Sequence, residues 1–447
     1  MKNSLMISVS GVRGIVGKGL TPSIVSRFAL AFGTFVKGGK VVIGSDTRHS
    51  REVIRHSVVS GLLASGCDVV DIGICPTPTV LYNVKHLKTL GGIAITASHN
   101  PAEWNGLKFI GRGGIFLDGT QAKRLIAIYE KNRFHTVPWN RIGKVQKDNE
   151  AVKRHIDAVL SLPFLNITGL RKRKFRVAVD CVNGAASAVF PQFLERFGCD
   201  VIKVFCDGTG DFRRNPEPVG ENLSVLGEKV KKNNADVGFA TDADGDRLSI
   251  VGNDGIPFGE EYSLALAGRF YLSKLKGSVV TNLSTSRMID TITKEFGVKL
   301  YRTKVGEANV VSKMKATRAV FGGEGNGGVI VPKIQYTRDA LSGIVLILQY
   351  MLESGKTINQ LSSELEKMKI VKKKLKISKK LNYGKIVEEL PPGKINRTDG
   401  VRIDWEKGWI HIRKSGTEPI VRIIAEARRK KDALNLCNKV IKMIGQR

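Results

Sequence analysis

The turn Thr96-Ala97-Ser98-His99-Asn100-Pro101 places a serine hydroxyl beside an imidazole directly after the apolar run Gly91 to Ile95. A buried strand feeding such a turn displays the hydroxyl at the carboxyl end of a sheet, where open α/β folds bind their ligands. Far along the chain, Asp242-Ala243-Asp244-Gly245-Asp246-Arg247 lies between the strand-like runs Val237 to Ala240 and Leu248 to Val251. Alternating carboxylates around a glycine offer oxygen ligands to a hard cation, Mg²⁺ or Ca²⁺. An EF-hand calcium loop would need a bidentate Glu at its twelfth position and helices on both sides. Asn253 holds that position and strands flank the loop, so an EF-hand is excluded. The third segment is Arg413-Lys414-Ser415-Gly416-Thr417-Glu418-Pro419, with Arg422 beyond it. Its hydroxyls, backbone N–H donors and planar guanidinium forks match phosphate oxygens.

Together with several shorter motifs, these segments resemble the α-D-phosphohexomutases. The shorter motifs are Ser10-Gly11-Val12-Arg13-Gly14, Asp46-Thr47-Arg48, Asn105-Gly106-Leu107-Lys108, Arg214-Asn215-Pro216-Glu217-Pro218 and Gly323-Glu324-Gly325-Asn326-Gly327-Gly328. Their order and spacing carry a resemblance that spans nearly the whole chain. It implies an isomerase that interconverts hexose 6- and 1-phosphates through a phosphoserine and a sugar bisphosphate, the bisphosphate also serving as activator. Ser98 is the implied phosphoserine, and Asp242, Asp244 and Asp246, with an oxygen carried on Ser98, are the implied ligands of one Mg²⁺ per chain. Arg13, Lys108 and Arg247 are the expected cations around the transferring phosphoryl, whose loose transition state is stabilised by position and charge. The attacking sugar hydroxyl also needs a general base. His99 and Lys108 both stand in the serine loop, and the sequence leaves both open. Arg413, Ser415, Gly416, Thr417 and Arg422 are expected to grip the phosphate that is not being transferred, while Glu324 and Asn326 hold sugar hydroxyls.

One loop departs from a common family form, in which Gly-Glu is followed by another residue and then Ser-Gly-His. Here Asn326 replaces the serine and Gly328 the histidine, so any role of that histidine has no carrier in this chain. The Gly-Glu-Gly-Asn-Gly-Gly form, the opening Ser10 to Gly17 and the stretch Glu103 to Lys108 resemble one group of the family, the phosphoglucosamine mutases. The resemblance therefore implies glucosamine phosphate as substrate, with phosphomannomutase or phosphoglucomutase activity as the alternative.

The elements that must hold these loops are α/β units. Val41 to Asp46, Val177 to Cys181 and Val279 to Asn282 each read as a strand, then a polar turn, then a helical stretch. Alternation of this kind predicts mixed or parallel sheets covered by helices on both faces. We expect three such α/β sandwich domains, 1–150 with the serine loop, 151–252 with the metal loop and 253–365 with the sugar loop, and a smaller α+β domain, 366–447, with the phosphate clamp. The polar stretch Trp139 to Glu150 reads as the first boundary, and Lys367 to Lys380 as a half-exposed strand entering the last domain.

Composition bounds the rest. A chain of 447 residues with 42% apolar content builds ample cores. Its longest apolar stretch, Ile344 to Leu352, falls far short of the roughly 20 residues a bilayer requires. With no leader pattern at the N-terminus, the cytoplasm is the expected compartment, and a monomer or homodimer the expected state. The six scattered cysteines lack metal-binding or redox spacing and read as reduced thiols. A net charge of +31 is compatible with a basic nucleic-acid-binding or scaffold protein, yet no recognition motif with interleaved aromatics appears, and no specific nucleic-acid partner is expected. A phosphatase or sugar kinase is the enzymatic alternative, and the absence of a P-loop argues against nucleotide use.

Overall fold

The computed structural model describes residues 5–376, 381–415 and 420–445. Four sheets organise the chain. In the first, Cys67–Ile74, Gly39–Ser45 and Gly91–Ile95 run parallel, and Trp104–Gly111 closes the series antiparallel to Gly91–Ile95. The second repeats the plan with Asp200–Val204, Arg176–Asp180, Val237–Thr241 and the antiparallel Leu248–Val251. The third does so again with Leu300–Thr303, Val279–Asn282, Phe321–Glu324 and the antiparallel Gly328–Ile330. The strands are continuous apolar runs because helices cover both faces, as Val41-Val42-Ile43 illustrates with every side chain buried.

This repetition positions the chemistry. In each of the three sheets, one candidate loop joins the last parallel strand to its antiparallel neighbour: the serine loop at Ile95↔Leu107, the metal loop at Thr241↔Leu248 and the sugar loop at Glu324↔Gly328. The fourth sheet is wholly antiparallel, in the order Lys369–Lys376, Ile420–Ala427, Gly408–Lys414, Val401–Trp405, Lys394–Asn396, and the helix Lys430–Gly445 packs against it. One apolar core runs unbroken from the second sheet into the third through the helices Glu261–Lys274 and Ala340–Ser354. The last domain has its own core.

Two stretches differ from the sequence expectation in detail. Trp139 to Glu150 is not a plain linker, because Val145–Lys147 adds a strand to the first sheet, parallel to Cys67–Ile74. The lysine-rich strand exists as Lys369–Lys376, with residues 377–380 outside the described residues. All six cysteines are free and, except for half-buried Cys206, buried. Among the described residues no helix is long and apolar enough to cross a membrane.

Strand Gly11–Ile15, which carries Arg13, pairs with Trp104–Gly111 from Val12 to Ile15, and Gly11, just before that pairing, lies against the Leu107 carbonyl. Gly11 has φ +109°, and a Cβ there would sit 2.1 Å from the Leu107 carbonyl oxygen. Gly11→Ala is expected to cost about 1–3 kcal/mol of strain. It should lower the first thermal transition and slow catalysis by shifting Arg13; an unchanged melting profile would show that the strand absorbs the methyl group.

Candidate active site

Ser98 is buried and held in the left-handed region at φ +51°, a conformation a non-glycine residue adopts at a cost. A hydrogen-bonded chain holds it there. Arg48 Nε donates to Asp46 Oδ2 at 3.0 Å, Asp46 Oδ2 accepts from Thr96 Oγ1 at 2.6 Å, and Thr96 Oγ1 accepts from the Ser98 N–H at 2.8 Å. The other arms of Arg48 reach four main-chain carbonyls of the loop, those of Ser98, Asn100, Pro101 and Trp104. A buried guanidinium with every donor used over-determines the turn, which is what a strained nucleophile loop needs. Arg13 joins the loop from its strand through Asn100 Oδ1 at 3.3 Å.

The metal loop meets the serine loop directly. Ser98 Oγ donates to Asp242 Oδ2 at 2.9 Å and lies 3.4 Å from His99 Nδ1. Lys108 Nζ sits between Asp244 Oδ2 at 2.6 Å and Asp246 Oδ2 at 3.2 Å, and Thr77, at the start of the helix Thr77–His86, donates to Asp244 Oδ2 at 2.7 Å. Arg247 reaches His99 Nδ1 at 3.0 Å and Glu217 Oε1 at 3.2 Å. All three aspartates are buried, and one oxygen from each lies within 4.8 Å of the others. Asp244 Oδ1 and Asp246 Oδ1 are buried without a hydrogen-bond partner. Such orphaned carboxylate oxygens are costly unless a cation completes them, so the residues present fit a hard divalent ion.

The sugar loop completes the centre differently from expectation. Glu324 is already engaged by protein donors: Asn282 Nδ2 at 2.8 Å and Gly306 N at 3.0 Å on Oε1, and Arg338 at 3.3 Å on Oε2. Asn326 instead presents a buried Oδ1 with no partner. Behind the loop, the Glu261 carboxyl lies where a Gly325 Cβ would be, 2.1 Å from that point, and burial pushes its pKa up to about 8. In the last domain Arg413 and Arg422 face each other across paired strands, with Arg413 Nε on Asp399 Oδ2 at 3.0 Å. Asp399 also accepts from Val305 N at 2.9 Å, linking the clamp strand to the third domain. Ser415 N bonds Ile420 O at 2.9 Å, closing the base of the clamp turn, while Gly416 and Thr417 lie outside the described residues.

The chain matches the domains of phosphoglucomutase/phosphomannomutase in succession: α/β/α domain I over residues 5–136, α/β/α domain II over 153–255, α/β/α domain III over 259–368, and the C-terminal domain over 360–443. It belongs to the phosphoglucomutase/phosphomannomutase family. A protein of Thermococcus kodakarensis named phosphoglucomutase/phosphomannomutase is 37% identical over 445 residues, 97% of each chain. One of Pyrococcus horikoshii named "Probable phosphoglucosamine mutase" is 37% identical over 448 residues, covering 97% of this chain and 98% of its own. Among solved structures, a phosphoglucomutase/phosphomannomutase family protein of Burkholderia thailandensis superposes with a TM-score of 0.85 at 26% identity, covering 98% of this chain and 97% of that one. The fold alone extends to the N-acetylphosphoglucosamine mutase of Aspergillus fumigatus, solved with GlcNAc-6P and magnesium, at a TM-score of 0.58 and 15% identity.

In this phosphohexomutase the site's charge states follow from its geometry. Burial works against the Lys108 ammonium, but Asp244 and Asp246 outweigh it and hold its pKa above the usual lysine value. His99 is held well below the usual histidine value by Arg247, by burial and by Arg13, so its imidazole is neutral. Arg247 can only donate, which makes Nδ1 the acceptor and puts the ring proton on Nε2. Burial and the neighbouring Asp244 and Asp246 raise Asp242 well above the carboxylate range. Sequence motifs did not reveal Thr77, Glu261, Asn282, Glu307 or Arg338, and Arg48 was visible only as part of a motif without a task.

A divalent cation held by the triad would stabilise the Asp242 carboxylate and so compete with the protonation that burial favours. Mg²⁺ titrations by calorimetry should give one site per chain, affinity that weakens as pH falls from a value above the normal carboxylate range, and loss of the site in Asp244→Asn. Affinity independent of pH between neutrality and pH 5 would contradict this reading of Asp242.

Proposed function

We propose that the enzyme interconverts glucosamine 6-phosphate and glucosamine 1-phosphate, with Ser98 as the phosphoryl carrier. The observation that carries the mechanism is the Ser98 hydroxyl 2.9 Å from Asp242 Oδ2, beside the orphaned oxygens of Asp244 and Asp246. Mg²⁺ held by Asp242, Asp244, Asp246 and an oxygen carried on Ser98 would neutralise charge on the transferring phosphoryl. Arg13, Lys108 and Arg247 supply fixed cations to the same centre, and the burial of Lys108 and Arg247 makes those two worth more than they would be in water.

Phosphoserine gives its phosphoryl to the free hydroxyl of the hexose monophosphate, the resulting bisphosphate turns around, and its other phosphate returns to Ser98. Either phosphate must occupy the far clamp in turn, a task suited to Arg413 and Arg422 with the turn Ser415, Gly416 and Thr417. A bisphosphate of the same sugar primes a dephosphorylated enzyme. Of the two candidate bases, Lys108 is a committed ammonium between two carboxylates, whereas neutral His99 has its Nδ1, 3.4 Å from the Ser98 hydroxyl, accepting from Arg247. His99 takes the proton of the attacking hydroxyl at Nδ1 once Arg247 turns from that nitrogen to the transferring phosphoryl. Because the base form is required and its pKa lies below the usual value, kcat/KM should stay level as pH falls through 6.5 and decline only lower. A decline centred at or above 6.5 would argue for a different base.

The amino-sugar preference draws on the Gly-Glu-Gly-Asn-Gly-Gly loop and on the relatives named for phosphoglucosamine. The charge of Glu324 is shared with Arg338, Asn282 and Gly306, so direct pairing with a 2-ammonium group is weaker than its motif suggests. Asn326 Oδ1, buried and open, is the better acceptor for an N–H or O–H of the sugar. Discrimination at one substituent can be as small as ~1–3 kcal/mol. With the 6-phosphates of glucosamine, glucose and mannose compared under one condition, the highest kcat/KM should belong to the amino sugar, with no nucleotide required and no inorganic phosphate released. A neutral hexose phosphate turned over about tenfold better, ~1.4 kcal/mol in transition-state binding, would move the substrate to glucose or mannose and leave the mutase chemistry intact. Ser98→Ala should remove turnover with every substrate.

A further inference from the structure

The family's common histidine in the sugar loop has no counterpart here, because position 328 is glycine. Its backbone does not require glycine: residue 328 is absent from the positive-φ positions. What excludes a side chain is Arg338. A Cβ on Gly328 would fall 2.2 Å from Arg338 Cδ and 2.6 Å from Cγ. The arginine stem therefore fills the volume that a residue at 328 would otherwise enter.

The Arg338 guanidinium then spreads over three carboxylates. Nε donates to Glu307 Oε2 at 2.9 Å, NH1 to Glu324 Oε2 at 3.3 Å and NH2 to Asp246 Oδ2 at 2.7 Å. Two of these acceptors belong to different active loops, Asp246 to the metal loop and Glu324 to the sugar loop. Arg338 is itself anchored at both ends of its residue. Its N–H donates to Glu307 Oε1 at 3.1 Å, and the next residue, Asp339, caps the helix Ala340–Ser354 through Leu341 N at 3.1 Å and donates its own N–H to Val329 O at 2.8 Å. Arg338 and Lys108 both use Asp246 Oδ2, and Asp246 Oδ1 is left without a hydrogen-bond partner.

We propose that Arg338, in the space left by Gly328, is a positioning residue that fixes the metal loop and the sugar loop to one another, and so sets where the sugar hydroxyl stands relative to the phosphoryl on Ser98. This rests on the phosphosugar reading of both loops. The planar fork is essential to the role, because a lysine ammonium at that point has charge but cannot satisfy three acceptors in fixed directions. A displacement of one loop by an ångström is enough to remove much of the rate, since near-attack geometry is what the two loops jointly define.

The test is kinetic. Arg338→Lys should fold, keep its Mg²⁺ site and lose about tenfold or more in kcat/KM, with kcat falling as well as KM rising. Gly328→Ala, which removes no charge, should lose activity similarly by pushing the arginine stem aside. A residue with only a structural role would lower the melting temperature of these variants without the kcat effect. Wild-type kinetic constants in a folded Arg338→Lys would overturn the proposal. A wild-type enzyme that turned over no hexose phosphate would instead overturn the phosphosugar reading on which it rests.

Discussion

The interaction on which the rest depends is the burial of three aspartates at one point. Asp242, Asp244 and Asp246 lie in a six-residue turn closed to water, and like charges so close in a low-dielectric setting repel strongly. Three cations answer that charge. Lys108 comes from the first domain, Arg247 from the metal loop itself and Arg338 from the third domain, and each places a cation on the triad. The cluster thus holds three domains together, and two carboxylate oxygens are still left over for a metal ion. Breaking such a network by removing one partner leaves a buried charge uncompensated, which is why its members are so interdependent.

The same topological position recurs at each contributing loop. A turn between the last parallel strand and an antiparallel closing strand emerges at the carboxyl end of its sheet, supported on both sides by main-chain pairing. Rigid pairing at the base and charge pairing at the tip leave these loops little freedom. The clamp stands on a fourth, antiparallel sheet with its own core, and it meets the third domain mostly through polar contacts such as Ser284 with His411, Arg287 N with Glu426 and Val305 N with Asp399.

Much of this was legible in the chain. Ser98 and the three aspartates could be read because each motif is contiguous and its residue types have few other uses, and the three strand-turn-helix units marked the three sandwiches. What stayed hidden depends on contacts between distant segments. Nothing near Arg338 in the sequence indicates that it lies under Gly328 and reaches Asp246, 92 residues away. Thr77 reads as an ordinary helix start until the fold brings it onto Asp244, 167 residues on. Glu324 was visible as a polar residue in a glycine-rich turn, yet its committed partners, Asn282 and Gly306, are supplied by other strands and loops. The strand within the boundary stretch Trp139 to Glu150 was not legible because three residues of edge strand, all exposed, show no alternation against a core.

Whether the buried aspartates and Ser98 form one phosphoryl-transfer centre is decided by peptide mass spectrometry of the enzyme after brief incubation with a hexose 1,6-bisphosphate, with Mg²⁺ present and with the metal chelated. One such centre should give a single added phosphoryl group on the peptide containing Ser98, formed only with Mg²⁺ and absent from Asp242→Asn. Phosphorylation at another residue, or equal labelling of Ser98 without a divalent cation, would contradict it.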